Sequence, residues 1–274
     1  MLLTKKSLKK ILTMTAAYFF GCLCLTVNAI FSNTGIPSKP LTVLGIIIWS
    51  LCLLMTLWGF FAEGKSKMVS MGIKLIRREL KPGEFISRYE LLKASDDLII
   101  DKPCFEILQL LVTAYDLQND EVAALKAVDE MIAAAKGSKK TAAALLKVSA
   151  LFSFGKRDEA EALFNRIKEQ KLNITCTALV DVILNTDRAK AFGEFKTAEA
   201  YLLQSLKRRF PKLDRLEMLV SHYTLGEIYD ELKDFDAAAV HYRYCAENGG
   251  ETALKHIAAE RLRNMIGGEE NESN

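Results

Sequence analysis

At 274 residues the chain is long enough for one membrane module and one folded domain. Its formal net charge of +3 is unevenly laid out: residues 1–10 hold four lysines and no acid, 62–81 hold six bases against two acids, and from residue 82 onward 32 acids outnumber 26 bases. That layout argues against a general basic surface for nucleic acid, and six scattered cysteines argue against a disulfide framework.

In chain order, 1–10 reads as a basic cytoplasmic N-terminus. The runs 11–31 and 41–61 carry no charged residue over 21 positions each. A bilayer core of about 30 Å needs about 20 helical residues, so both are expected to be transmembrane helices. Between them, 32–40 holds Gly35, Pro37 and Pro40 and forms an external loop short enough to force antiparallel packing. Lys65, Lys67, Lys74, Arg77, Arg78 and Lys81 follow the second run, against Lys39 alone on its other side. The positive-inside rule then gives an integral protein of a plasma or inner membrane, with both termini cytoplasmic. The first run also fits a signal peptide cut after Ala29, which would leave the second helix in place. Residues 62–104 read as basic juxtamembrane and linker helices, broken at Lys81-Pro82-Gly83.

From residue 105 the sequence repeats itself. Ala124/Val128, Ala160/Phe164, Ala198/Leu202 and Ala238/Tyr242 each pair a small residue with a larger apolar one four positions on. Nine residues before each alanine stand Tyr115, Leu151, Ala189 and Tyr229; five before it stand Asn119, Gly155, Gly193 and Lys233. Glycine and asparagine are the residues best able to end a helix in a left-handed conformation. The pattern predicts four hairpins of helix, tight turn and antiparallel helix, with the small residue allowing close approach. Richness in Ala, Leu, Lys and Glu disfavours a parallel β architecture, so the fold class expected is all-α.

The segment YTLGEIYDELKDFDAAAVHYRYCA (223–246) resembles a tetratricopeptide repeat through Leu225-Gly226, Tyr229, Phe235, Ala238 and Tyr242. SALFSFGKRDEAEALFNRI (149–167) resembles it through Gly155, Ala160 and Phe164. The whole is then a two-helix transmembrane hairpin followed by a tetratricopeptide-like α-solenoid over 105–266, closed by a capping helix that Gly267-Gly268 stops, with 267–274 as a disordered tail. The resemblance implies a groove lined by the first helix of each repeat. Mapped onto this chain, that face offers Gln109, Thr113, Asp116, Ser149, Phe152, Tyr223, Glu227, Asp230 and Glu231.

No nucleotide-binding or nucleophile-elbow motif is present, and no catalytic constellation stands out. His222 and His241 could meet across one helical hairpin, although two ligands make no zinc site, and a packing or surface role is the reading preferred for both and for His256. The expectation is therefore a non-enzymatic chain with no metal and no cofactor. It would be a membrane-anchored scaffold or adaptor binding an unidentified protein or peptide at the cytoplasmic face, touching lipid through its helices and basic flanks and taking no nucleic acid. The alternative is a structural or accessory subunit of a larger membrane complex for transport, secretion or envelope assembly.

Overall fold

The computed structural model describes residues 67–94, 98–101, 104–169, 177–207 and 212–272, together with 2–4 and a few single positions between 13 and 54. It divides into two units, 1–69 with 90–104 and 70–89 with 105–274. In the first, β1 (Leu2–Thr4) pairs antiparallel with β2 (Leu98–Asp101), Leu3 opposite Ile100.

The second unit is all-α, and its architecture starts from four turns. Asn119, Gly155, Gly193 and Lys233 all take positive φ, at 57°, 73°, 77° and 63°. At each, the next residue's amide reaches back to the carbonyl four positions before the turn residue: Asp120 to Tyr115, Lys156 to Leu151, Glu194 to Ala189 and Asp234 to Tyr229, at 2.7–2.9 Å. A left-handed residue with this back-bond satisfies a helix's last carbonyls and reverses the chain. Asp120 and Asp234 then cap the returning helices by accepting from the Ala123 and Ala237 amides.

These turns join α2 (Phe105–Leu117) to α3 (Glu121–Ala134), α4 (Ser138–Ser153) to α5 (Arg157–Glu169), and α9 (Arg215–Glu231) to α10 (Phe235–Asn248). The first limb of the third hairpin is α6 (Thr177–Val182), a π-helical stretch (Ile183–Arg188) and α7 (Ala189–Ala191); its second limb is α8 (Phe195–Leu206). Pro82–Ala94 forms α1, and Ala253–Glu272 forms α11. The last helix runs through Gly267 and Gly268 rather than stopping at them.

All four small residues of the repeat pattern, Ala124, Ala160, Ala198 and Ala238, are fully buried, and Val128, Phe164, Leu202 and Tyr242 are buried beside them. The core is strung between hairpins. One cluster joins Leu145, Val148, Leu151, Phe164 and Ile167 to Ile183 of the third hairpin; another joins Ala189, Ala198 and Leu202 to Leu225 and Ile228 of the fourth. Successive hairpins thus bury apolar faces against one another, which is solenoid construction. Gly226 is part of the fit: a Cβ there would stand 2.7 Å from the Tyr242 ring.

The segment ahead of the hairpins fastens the two ends of the row. Leu75, Ile76, Leu80 and Phe85 are buried, and Gly72 lies so close to Leu110 of α2 that a Cβ would meet it at 2.7 Å. At the other end, Leu80 accepts from the Glu251 amide (2.8 Å), and Arg77 forms ion pairs with Asp214 and Glu217, both 2.6 Å. Those two acids are the capping box of α9. Gln118, at the turn of the first hairpin, donates directly to the Glu251 carbonyl at the end of the fourth (2.9 Å).

Among the described residues no helix is long and apolar enough to cross a membrane. This corrects the expected transmembrane hairpin, and with it the localisation as an integral membrane protein. An uncharged run expresses a preference to leave water, and only a continuous apolar helix of about 20 residues turns that into a span. The longest described helix, α11, has 20 residues but scatters Lys255, Glu260, Arg261 and Arg263 through them. The runs 11–31 and 41–61 themselves lie almost wholly outside the described residues. The all-α, solenoid-like part of the expectation holds for the second unit.

Candidate functional site

The first limbs of the four hairpins and α11 are tied to one another by polar side chains, with a bond at every junction. Ser153 of α4 donates to Asp116 of α2 (3.0 Å). Ser149, one helical turn earlier, donates to Asp187 of the π-helical stretch (2.5 Å). Lys190 of α7 reaches Glu227 of α9 (2.6 Å), and Asp230, one turn on, accepts from Arg261 of α11 (3.4 Å). The result is a polar ladder of four carboxylates and two cations across the four first limbs and α11.

The ladder is most unusual at its first two rungs. Burial pushes the Asp116 carboxyl above its ordinary range, with the Ser153 bond opposing. Asp187 is pushed up to about 6, chiefly by burial and additionally by the charge of Asp116, against the pull of Ser149 and Lys190. Two acids, one on either side of α4, are thus each held by a serine hydroxyl of that helix. Such an arrangement favours an incoming cation, which would supply the charge that solvent no longer provides. At the far end, burial and the nearby Glu227 raise the Tyr223 phenol, whose ring lies edge-on to Tyr242 (6.1 Å).

Of the nine residues expected on this face, Asp116, Ser149, Glu227 and Asp230 are rungs, and Tyr223 lies half-buried beside them. Gln109 is exposed, and Thr113 turns its hydroxyl back to the Gln109 carbonyl (3.1 Å). Phe152 is a correction: it turns into the core between the second and third hairpins, 6% exposed, because burying an aromatic ring outweighs offering it to a groove. Glu231 is exposed and lines a shallow depression with Lys190, Phe192 and Glu227.

Sequence reasoning missed Asp187 and Lys190, although the register contained them. Two before and one after the residues Tyr115, Leu151, Ala189 and Tyr229 fall Thr113/Asp116, Ser149/Phe152, Asp187/Lys190 and Glu227/Asp230. Applying the same offsets to the third hairpin would have found both. Ser153 and Arg261 lie off this register and had no such signal.

Among the described residues no group of three or more His, Cys, Asp or Glu side chains could hold a metal ion. Comparison with known proteins adds nothing to this geometry: no family model, no curated protein and no solved structure matches the chain.

Proposed function

We propose that the chain is a binding module of the tetratricopeptide type, whose first-limb face takes up a basic segment of a protein partner. The observation that carries the proposal is the polar ladder, acidic in sum, with half-buried carboxylates at Asp116 and Asp187. The left-handed turns, the buried alanines and the Gly226–Tyr242 fit agree with the family resemblance. A ladder of this kind recognises charge spaced along an extended strand; it offers no arrangement for bond-making, so the reading is of a scaffold rather than an enzyme.

The test is binding of fluorescent peptides, graded from acidic to basic, to the purified full chain at low and high salt. Basic peptides should bind, and salt should weaken them. Asp116→Asn combined with Asp230→Asn should weaken the best binder by about 1.5–3 kcal/mol for each charge-assisted hydrogen bond removed. Equal binding of acidic and basic peptides, or an unaffected double variant, would show that this face is not the site.

A further inference from the structure

Outside the ladder, α9 and α10 are joined by a pair of imidazoles. His222 Nδ1 and His241 Nδ1 stand 2.9 Å apart, with the rings tilted at 48°. Each ring is backed by a tyrosine: His222 stacks on Tyr244 (3.9 Å between centroids) and His241 on Tyr229 (5.5 Å, 5° between planes). The Tyr229 hydroxyl in turn donates to Glu199 of α8 (2.9 Å). The packing leaves the rings little freedom to turn away from each other.

A hydrogen bond between two Nδ1 atoms needs one ring to donate and the other to keep a lone pair. It forms with both rings neutral, and equally with one ring charged. It cannot form once both are protonated, because two N–H groups and two positive charges then meet at 2.9 Å. We infer that His222 and His241 form a proton-operated pin between α9 and α10, closed while at most one ring is charged and opened by the second proton. Because α9 carries Tyr223, Glu227 and Asp230, opening the pin loosens the far end of the ladder.

The groups around the pair set the sign. Burial lowers both histidines, and His222 lowers His241 further. Tyr244 and Tyr229 face the rings, and the Tyr229 phenol is raised to about 12 by burial and by Glu199. Glu199 is held ionised by Lys196 and spends its charge there and on the Tyr229 hydroxyl. On α9 itself, Glu227 and Asp230 are turned to Lys190 and Arg261. With both histidines depressed, the stabilisation that the pin gives α9 and α10 is fully present above the ordinary value of 6.5 and is lost below it, once pH has fallen far enough for the second proton to bind.

The experiment follows the full chain, labelled with ¹⁵N at its three histidines, through a pH titration by NMR. Amide exchange in α9 and α10 is read in parallel and corrected for its intrinsic pH dependence. His222 and His241 should protonate in two coupled steps, and exchange in α9 and α10 should rise severalfold with the second. His222→Gln combined with His241→Gln, an amide pair that does not titrate, should abolish that rise. Independent titration of the two rings, or the same rise in the double variant, overturns the inference. Should that variant fail to fold, the parent chain decides alone: exchange that does not follow the second step also overturns it.

Discussion

Asp187 is half-buried, stripped of much of its solvent and within reach of the Asp116 charge, and the consequence for stability can be worked out in sign and size. Its folded value, about 6, lies above its ordinary 3.8. Between those values the folded chain holds a proton that the unfolded chain has released, so stability falls as pH rises through the window. Above it a penalty persists, up to roughly 3 kcal/mol at 1.36 kcal/mol per unit. Asp187→Asn keeps an oxygen for Ser149 and removes the charge. Urea unfolding should show this variant more stable than the parent at neutral pH and nearly equal to it near the ordinary carboxylate range. An equal or weaker variant at neutral pH would mean that the charge is already compensated. Under the proposed function the same titration predicts that a basic peptide binds more weakly below about pH 6.

The hairpin is the element that the sequence spells most clearly, because everything it needs is local. A residue at positive φ, an alanine five positions later and a larger apolar residue four beyond that lie within one turn and one helix, so composition alone shows them. Lys233 tests the logic, since it holds φ 63° without glycine's freedom. A left-handed conformation costs a side-chain-bearing residue roughly 1–2 kcal/mol. Lys233→Gly is therefore expected to raise the thermal midpoint, whereas Gly155→Ala, at φ 73°, should lower it by a comparable step. Calorimetry of the two variants checks both directions. The ladder was half legible for the same reason: Asp116, Ser149, Glu227 and Asp230 follow from the register, while Arg261 depends on how α11 lies against α9. The fastening of the row's ends was not legible at all, because Leu80 and Glu251 lie far apart in the sequence and no local pattern links them. Lack of charge in 11–31 and 41–61 told only of a preference for leaving water, and the spans built on it were the error.

At the scale of the second unit, the segment from Gly72 to Phe85 changes how a row of hairpins should behave. An open solenoid frays from its ends, since each terminal repeat has one neighbour. Here Gly72 packs on Leu110 of the first hairpin, Arg77 and Leu80 bind the last, and Gln118 bonds Glu251 directly across the two ends. Arg77→Ala would remove two ion pairs that are part-exposed and contribute only about 0–1 kcal/mol each. Leu80→Asp would place a charge at a fully buried position. Hydrogen exchange should show Leu80→Asp opening α2 and α10 together while α4 and α5 keep their protection, and Arg77→Ala should give a weaker version of the same pattern. Opening confined to one end would show that the ends are stabilised separately.

Gln118 and Glu251 also fix how many hairpins the row can hold. Solenoids ordinarily lengthen by duplication, each new unit stacking on the last without disturbing the rest. In this chain an inserted hairpin would carry the α10–α11 corner away from Leu80 and Gln118, breaking the closure with every copy added. Its size is thereby locked in a way that an open array's is not, and descendants can vary the face of each hairpin far more readily than their number.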